Sequence, residues 1–511
     1  MSSFLTRRKF VVRSVQAGAL ANLGNFAFLR QLPLISGAEV KVTPEMVQFH
    51  PDIEPLVRLV EDTDRGKLLE VIADKIRQGT SYSQVLAAIL LAGVRNIQPR
   101  PVGFEFHAVL VVNSAHMAAL AAPDTDRWMP LFWALDNFKS SQATKIDKGG
   151  WKMPALEDGK LPPTAHAKKR FIEAMDDWNE DGADRAIAAL VRDAGAADVI
   201  ELFWRYGARD FRDIGHKAIY AANAWRTLQT IGWRHAEPVM RSLAFALLEH
   251  KENGNPAKLD AAPDRPWREN LQRVRKIRAD WFQGEIQPQA TTDLLATLRT
   301  ANPPEACEKI VDQLNNKVSP ASLWDALFLH AGELLMRQPG IVGIHCVTST
   351  NALHYGFQTS GNDETRRLLL LQTGAFLCLF RQAMAGRGKL REDLKIDTLE
   401  SGVSNAKGMA AIEEIFTDLG KDRLLAARKT LALLDSKALD PEQMMTHARR
   451  LLFSKGRDSH DYKFSSAALE DFFHTTSTWR NRFLATSMFN LRGSTEPDNG
   501  LVNRTKAALR A

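Results

Sequence analysis

Cysteine is almost missing: Cys307, Cys346 and Cys378 are the only three in 511 residues. An odd, widely spaced set gives neither a disulfide framework nor a thiolate zinc pattern. Long hydrophobic runs are missing too. No stretch approaches the roughly 20 uninterrupted apolar residues a spanning helix needs, so no stable membrane span is expected. Strand-like alternation of apolar and polar residues is scarce. The short motifs that carry common chemistry are also absent. There is no phosphate-binding glycine loop and no dinucleotide fingerprint behind a strand. There is no Cys-x-x-Cys-His haem attachment, no His-Glu-x-x-His zinc helix and no Gly-x-Ser-x-Gly elbow. The paired Glu-x-x-His of carboxylate-bridged di-iron bundles is not found either. With no nicotinamide or flavin site, any redox chemistry falls to a metal or to the substrate.

What is present is ordinary globular composition, 45% apolar and 25% charged, which excludes a disordered or collagen-like chain. The formal charge of +7 invites a nucleic-acid partner, but most of it is local. Residues 1–38 hold Arg7, Arg8, Lys9, Arg13 and Arg30 and no acid; without them 62 basic residues face 60 acidic ones. A nearly neutral body gives no electrostatic reason to bind nucleic acid. The basic stretch Thr6-Arg7-Arg8-Lys9-Phe10-Val11-Val12 resembles a bacterial twin-arginine export signal. A mildly apolar run follows from Val15 to Leu29, then Leu34-Ile35-Ser36-Gly37-Ala38, whose small residues suit cleavage after Ala38. The expectation is a leader over 1–38, the export machinery as a partner and a periplasmic destination. The alternative is a basic amphipathic helix on a cytoplasmic protein.

From residue 55 onward apolar residues recur at helical steps, as in Val57, Leu59, Val60, Leu68, Leu69, Val71, Ile72 and Ile76. Residues 143–165, 252–268 and 386–407 are polar connectors. The expected fold is all-α, with one domain over 39–492 and a flexible tail over 493–511. Self-comparison divides it further. His107-Ala-Val-Leu-Val-Val-Asn113-Ser-Ala-His116 aligns with His345-Cys-Val-Thr-Ser-Thr-Asn351-Ala-Leu-His354. A third copy, His216-Lys-Ala-Ile-Tyr-Ala-Ala-Asn223-Ala-Trp225, carries one extra residue before Asn. A fainter fourth runs from His460 through Lys463 to Ser466, with serine at the asparagine position. A glycine precedes each histidine (Gly103, Gly215, Gly343, Gly456), and an apolar helix precedes each glycine: 83–97, 197–211, 322–337 and 441–453. Four divergent helical-hairpin repeats follow, near 60–142, 183–252, 290–386 and 422–492.

If glycine ends one helix and histidine opens the next, four such units around a shared axis can converge four imidazoles. Neutral imidazole suits iron, copper, zinc or nickel, so His107, His216, His345 and His460 are candidate metal ligands. The bland reading is four structural histidines repeated by duplication. Lys463, one turn beyond His460, faces the same way. It is a candidate anionic ligand as a carbamate, a candidate catalytic base, or a surface lysine. His116 and His354 lie nine residues past the key histidines, half a helical turn away. They cannot share the ion and are candidate substrate-contacting catalytic residues or core. Asn113, Asn223 and Asn351 could orient the imidazoles or tie helices together. His330 with Glu333 could support His345, and His235 with Glu237 could line a mouth. Trp128, Trp133, Trp204, Trp225, Trp233 and Trp324 suit a flat aromatic ligand or a tryptophan-rich core.

Taken together, Gly-Phe-Glu-Phe-His107, Asp-Ile-Gly-His216, Gly-Ile-His345-Cys-Val-Thr348-Ser-Thr-Asn-Ala-Leu353 and Asp458-Ser-His460-Asp-Tyr-Lys463 resemble the questin oxidase-like family over most of residues 60–490. Members of that family include fungal enzymes that oxidatively cleave anthraquinone rings. The resemblance implies non-haem Fe(2+) held by His107, His216, His345 and His460, with a ligand derived from Lys463. It also implies dioxygen activation on an aromatic or quinone-like small molecule without an organic cofactor. The competing functions are a non-catalytic helical scaffold that binds a partner on a concave face and a non-covalent haem protein.

Overall fold

The computed structural model describes residues 32–35 and 53–510. Among the described residues the fold is all-α: 22 α-helices linked by short 3-10 turns, with no strand. One apolar core runs from Leu32 to Leu509. Local chemistry starts many helices where the spacing predicts. Ser81 and Gln84 form a capping box at Tyr82–Asn96, and Asp458 with Asp461 does the same at Ser459–His474. The four expected apolar helices form as Tyr82–Asn96, Ala196–Gly207, Pro320–Arg337 and Pro441–Lys455.

Each of these packs against the helix that follows it: His107–Ala121, His216–Ile231, Ile341–Thr359 and Ser459–His474. Those four following helices form a closed inner ring. The His107 helix packs on the His216 helix, that on the His345 helix, that on the His460 helix, and the last returns to the first. Side-chain partners run in register along the ring. His107 meets His216 and Asn113 meets Asn223; His216 meets His345 and Tyr355 meets Gln229. Likewise Ser466 meets Ser114, and Asn351 meets Glu470 and Asp471. All four inner helices therefore run the same way, and their N-termini gather at one end. The outer helices return the chain between parallel neighbours.

The connector over 386–407 lies between Asp363–Ala385 and Gly408–Leu419 as expected, whereas Met129–Asp147 extends into the stretch read as a loop from 143. The expected flexible tail is a correction. Leu501–Arg510 is a helix with Leu501, Val502, Ala508 and Leu509 buried. Arg77 donates to the Leu509 carbonyl at 2.8 Å, and Arg504 pairs with Asp136. Its apolar residues recur at helical spacing and find a groove against Arg65–Arg77. Two stretches, Phe104–Ala121 and Asp363–Ala385, are long and apolar enough to cross a membrane, yet 72% of the apolar 18-residue window in each is buried in the fold, as in core helices. Residues 1–31 and 36–38 of the expected leader lie outside the described residues. Leu32 and Ile35 are buried, and the Pro33 carbonyl accepts from Trp128 Nε1 at 3.1 Å.

Candidate metal centre

Four histidines converge at the N-terminal end of the inner ring. One ring nitrogen from each of His107, His216, His345 and His460 lies within 4.8 Å of the others. His107 and His216 each open their helix behind a 3-10 turn, Phe104–Phe106 and Asp213–Gly215. His460 is the second residue of its helix. The structure corrects the glycine–histidine rule in the His345 copy: Gly343 is inside Ile341–Thr359 and His345 sits a full turn in. What Gly343 provides is room, since a Cβ there would stand 3.0 Å from the Gln338 carbonyl and 3.1 Å from Leu335 Cα. Gly215 has φ +78, and a Cβ would fall 2.0 Å from Ser349 Oγ on the His345 helix. Only glycine permits that approach of the His216 turn to its neighbour.

The tautomers follow from what holds the rings. His216 Nδ1 is 2.6 Å from the Asp213 carbonyl and His345 Nδ1 is 2.6 Å from the Ile341 carbonyl. A carbonyl only accepts, so both Nδ1 atoms carry the hydrogen. Burial pushes both imidazoles well below the ordinary histidine range, with Lys463 the next cause at His216 and His216 the next at His345, so both rings are neutral. Each Nε2 is then a bare lone pair, and these two lone pairs face each other at 2.8 Å. His107 Nε2 reaches the same His216 Nε2 at 2.8 Å, and burial also lowers its pKa well below normal. His460 Nδ1 lies 3.3 Å from Asp458 Oδ1, leaving its buried Nε2 with no partner. A bridging proton would relieve one pair; a central cation relieves all four nitrogens.

The donor set fits a divalent transition metal. At metal–nitrogen distances of about 2.0–2.1 Å, neighbouring donors lie about 2.9–3.4 Å apart, close to the contacts described. Backbone carbonyls behind two of the imidazoles and Asp458 behind the third are the supports that fix a ligand histidine. Lys463 Nζ is 3.5 Å from His216 Nε2, and burial lowers its pKa to about 7. Four helix N-termini add positive partial charge here, which favours an anion beside the metal. Asp458 stays ionised: burial raises it, but the hydrogen bond and charge of His460 outweigh that and hold it at about 2.

Below the histidines the ring encloses a narrow polar cavity lined by Asn113, Asn223, Asn351, Ser466, Arg226 and Lys463, among others. The three asparagines and the serine are the aligned positions of the four sequence segments, and they share this one cavity. It has room for about one water-sized molecule. Arg226 crosses its far end, paired with Glu470 at 2.8 Å. The sequence reading missed Arg226, Glu470 and Asp471; the only signal was that Glu470 and Asp471 interrupt an apolar helix face.

The remaining candidates are placed elsewhere. His116 is buried with both ring nitrogens engaged, Nδ1 by Tyr82 and Nε2 by Thr230, each at 3.0 Å. His354 is packed against Trp324, Phe328 and His474. Neither reaches the histidine cluster. Glu333 is buried in ion pairs with Arg299 and Arg337, while His330 is buried with no partner for either nitrogen. His235 bonds Arg234 and Glu237 pairs with Arg192. Trp128, Trp133, Trp204 and Trp324 are core residues. Comparison with protein-family models, curated proteins and solved structures finds no match to this chain.

Proposed function

We propose that the chain is a metal-dependent oxidoreductase whose His107, His216, His345 and His460 hold a non-haem iron ion. The observation that carries this reading is the pair of facing lone pairs on His216 and His345, 2.8 Å apart in neutral rings. A helical scaffold has no use for four converging imidazoles, two of which present bare Nε2 lone pairs to each other. A haem reading meets a geometric objection: nitrogens within 4.8 Å of one another leave no slot for a macrocycle.

Iron in such a site would bind and activate dioxygen, as the likeness to questin oxidase-like enzymes implies. The inner cavity admits only a molecule of about the size of water or dioxygen. A larger electron-rich aromatic substrate must therefore approach from outside, where His107 and His460 retain some exposure and Phe104 is 73% exposed. Asp458 and Lys463 flank that site as a carboxylate and an amine able to hold or give up a proton near pH 7. The test is elemental analysis and oxygen uptake of protein purified anaerobically without chelators. Wild type should carry one transition-metal ion per chain. His107→Ala, His216→Ala, His345→Ala and His460→Ala should each lose metal and oxygen uptake, while His116→Ala and His354→Ala keep the metal. Absence of stoichiometric metal in wild type sinks the proposal.

A further inference from the structure

The turns that deliver His107 and His216 hold three non-glycine residues in the left-handed region: Phe104 at φ +49, Asp213 at +50 and Ile214 at +47. Such backbone persists only where its surroundings fix it. The two turns also touch, since a Cβ on Gly103 would stand 3.5 Å from His216 Cε1. Their register therefore needs an external tie.

One side chain reaches both turns. Glu249 follows the outer helix Ala236–Leu247 and is 7% exposed. Its Oε2 accepts at 2.8 Å from the Val102 amide, on the approach to His107. Its carboxyl also meets that of Asp213, which starts the His216 turn. Asp213 Oδ1 takes Lys251 Nζ at 3.2 Å, while its buried Oδ2 has no donor. Two carboxylates cannot hydrogen-bond without a proton, so a hydrogen on Glu249 satisfies that orphaned oxygen. The Glu249 backbone is itself pinned. Lys217 Nζ, on the residue after His216, donates to the Glu249 carbonyl at 2.7 Å and to the Leu247 carbonyl at 3.1 Å.

We propose that Glu249, as the neutral acid, is a positioning residue for the metal centre: it accepts from Val102, donates to Asp213 and so clamps the His107 turn to the His216 turn. Its bearing on metal rests on the function proposed above, whereas the clamp exists without an ion. Burial, and next the Asp213 charge, raises the Glu249 pKa to about 7, which keeps the hydrogen in place under mildly acidic conditions. Lys217 opposes this, and Lys251 sits on the far oxygen of Asp213. Arg212 is engaged by Asp264 and Glu252, and Arg100 by Glu180. At higher pH two carboxylates face each other and the clamp loosens.

Glutamine reproduces the neutral acid at every pH, with an oxygen for Val102 and an amide hydrogen for Asp213; alanine offers neither. Anaerobic titration of the full chain with cobalt(II), followed by its visible absorption, reads the metal site. At about pH 6, Glu249→Gln should match wild type, and Glu249→Ala should bind about tenfold more weakly or worse. At about pH 8.5 wild type should bind severalfold more weakly than Glu249→Gln. Lys463, with its own pKa of about 7, is common to both proteins, so that difference isolates Glu249. Denaturant unfolding of the metal-free chain reads the clamp alone. A folded pKa raised from about 4.3 gives stability that is full below that value and is lost as pH rises through about 7. The unfolding constant of wild type relative to Glu249→Gln should therefore rise about tenfold or more from pH 5 to pH 8. Wild type that takes up no cobalt sinks the metal reading and leaves the clamp to the unfolding ratio. A ratio flat with pH overturns the inference. So does cobalt affinity in Glu249→Ala equal to that of wild type, or a loss in Glu249→Gln equal to that in Glu249→Ala.

Discussion

His116 and His216 show how little a histidine's sequence neighbourhood reveals about its work. Both lie on inner-ring helices and both are buried. His116 has a hydroxyl on each nitrogen, and burial alone lowers its pKa to about 4. His216 spends Nδ1 on a carbonyl and keeps Nε2 bare. The difference sets a pH dependence. A histidine with a depressed folded pKa binds its proton more readily in the unfolded chain, so stability falls as pH drops from about 6.5 toward 4. For His116 the loss should approach about 3 kcal/mol by pH 4. Denaturant titrations from pH 7 to 4.5 should show a steep decline in wild type and a shallower one in His116→Gln. Equal slopes would mean that His116 titrates normally in the folded state. The convergence of His107, His216, His345 and His460 was legible from repeated spacing, whereas the tautomers were not, because they depend on backbone carbonyls whose positions only the fold supplies.

At the scale of the element, helix periods and caps carried most of the information. The apolar helix expected over 83–97 forms as 82–96, and the polar connector over 386–407 is found between its helices. The ends failed where tertiary packing decides. The final ten residues of the described chain look like a tail alone, and they helix because a groove awaits their apolar side. The parallel direction of the inner ring was hidden too, since it is set by long-range pairs such as Ser466 with Ser114. Gly215 joins the two levels. Its φ of +78 and the 2.0 Å approach to Ser349 predict that Gly215→Ala costs about 2–4 kcal/mol and lowers metal content by shifting His216. Gly79 is the control, with φ +101 but nothing within 4 Å of its Cβ position. Gly79→Ala should cost only about 1 kcal/mol and leave the metal in place. Equal costs in chemical denaturation would show that the contact with Ser349 has no weight.

For the whole molecule, the address and the metal make separable predictions. We propose that the Arg7-Arg8 pair directs export. Arg7→Lys with Arg8→Lys should then retain folded protein in the cytoplasm, and normal export of the double variant, read by cell fractionation, would refute it. The metal prediction reaches further, because the four ligands come from segments spread over residues 107 to 460 and sit where four parallel helices meet. An ion there closes the ring at its N-terminal end and binds only the folded arrangement. Free metal at 100 times its dissociation constant should raise global stability by about 2.7 kcal/mol, and chelation should remove that gain. The effect must extend to elements far from the histidines. Amides of the Leu501–Arg510 helix, docked on Arg65–Arg77, should exchange faster after chelation if the chain unfolds as one unit, and His345→Ala should already show the fast rates. His116→Gln retains all four ligands, so it should keep the full metal-dependent gain despite its lower baseline. Four structural histidines would give the opposite pattern: melting indifferent to metal and chelator, with His345→Ala and His116→Gln differing only in baseline stability. The decisive quantity is thus the metal-dependent increment in each variant, not the stability of any one of them.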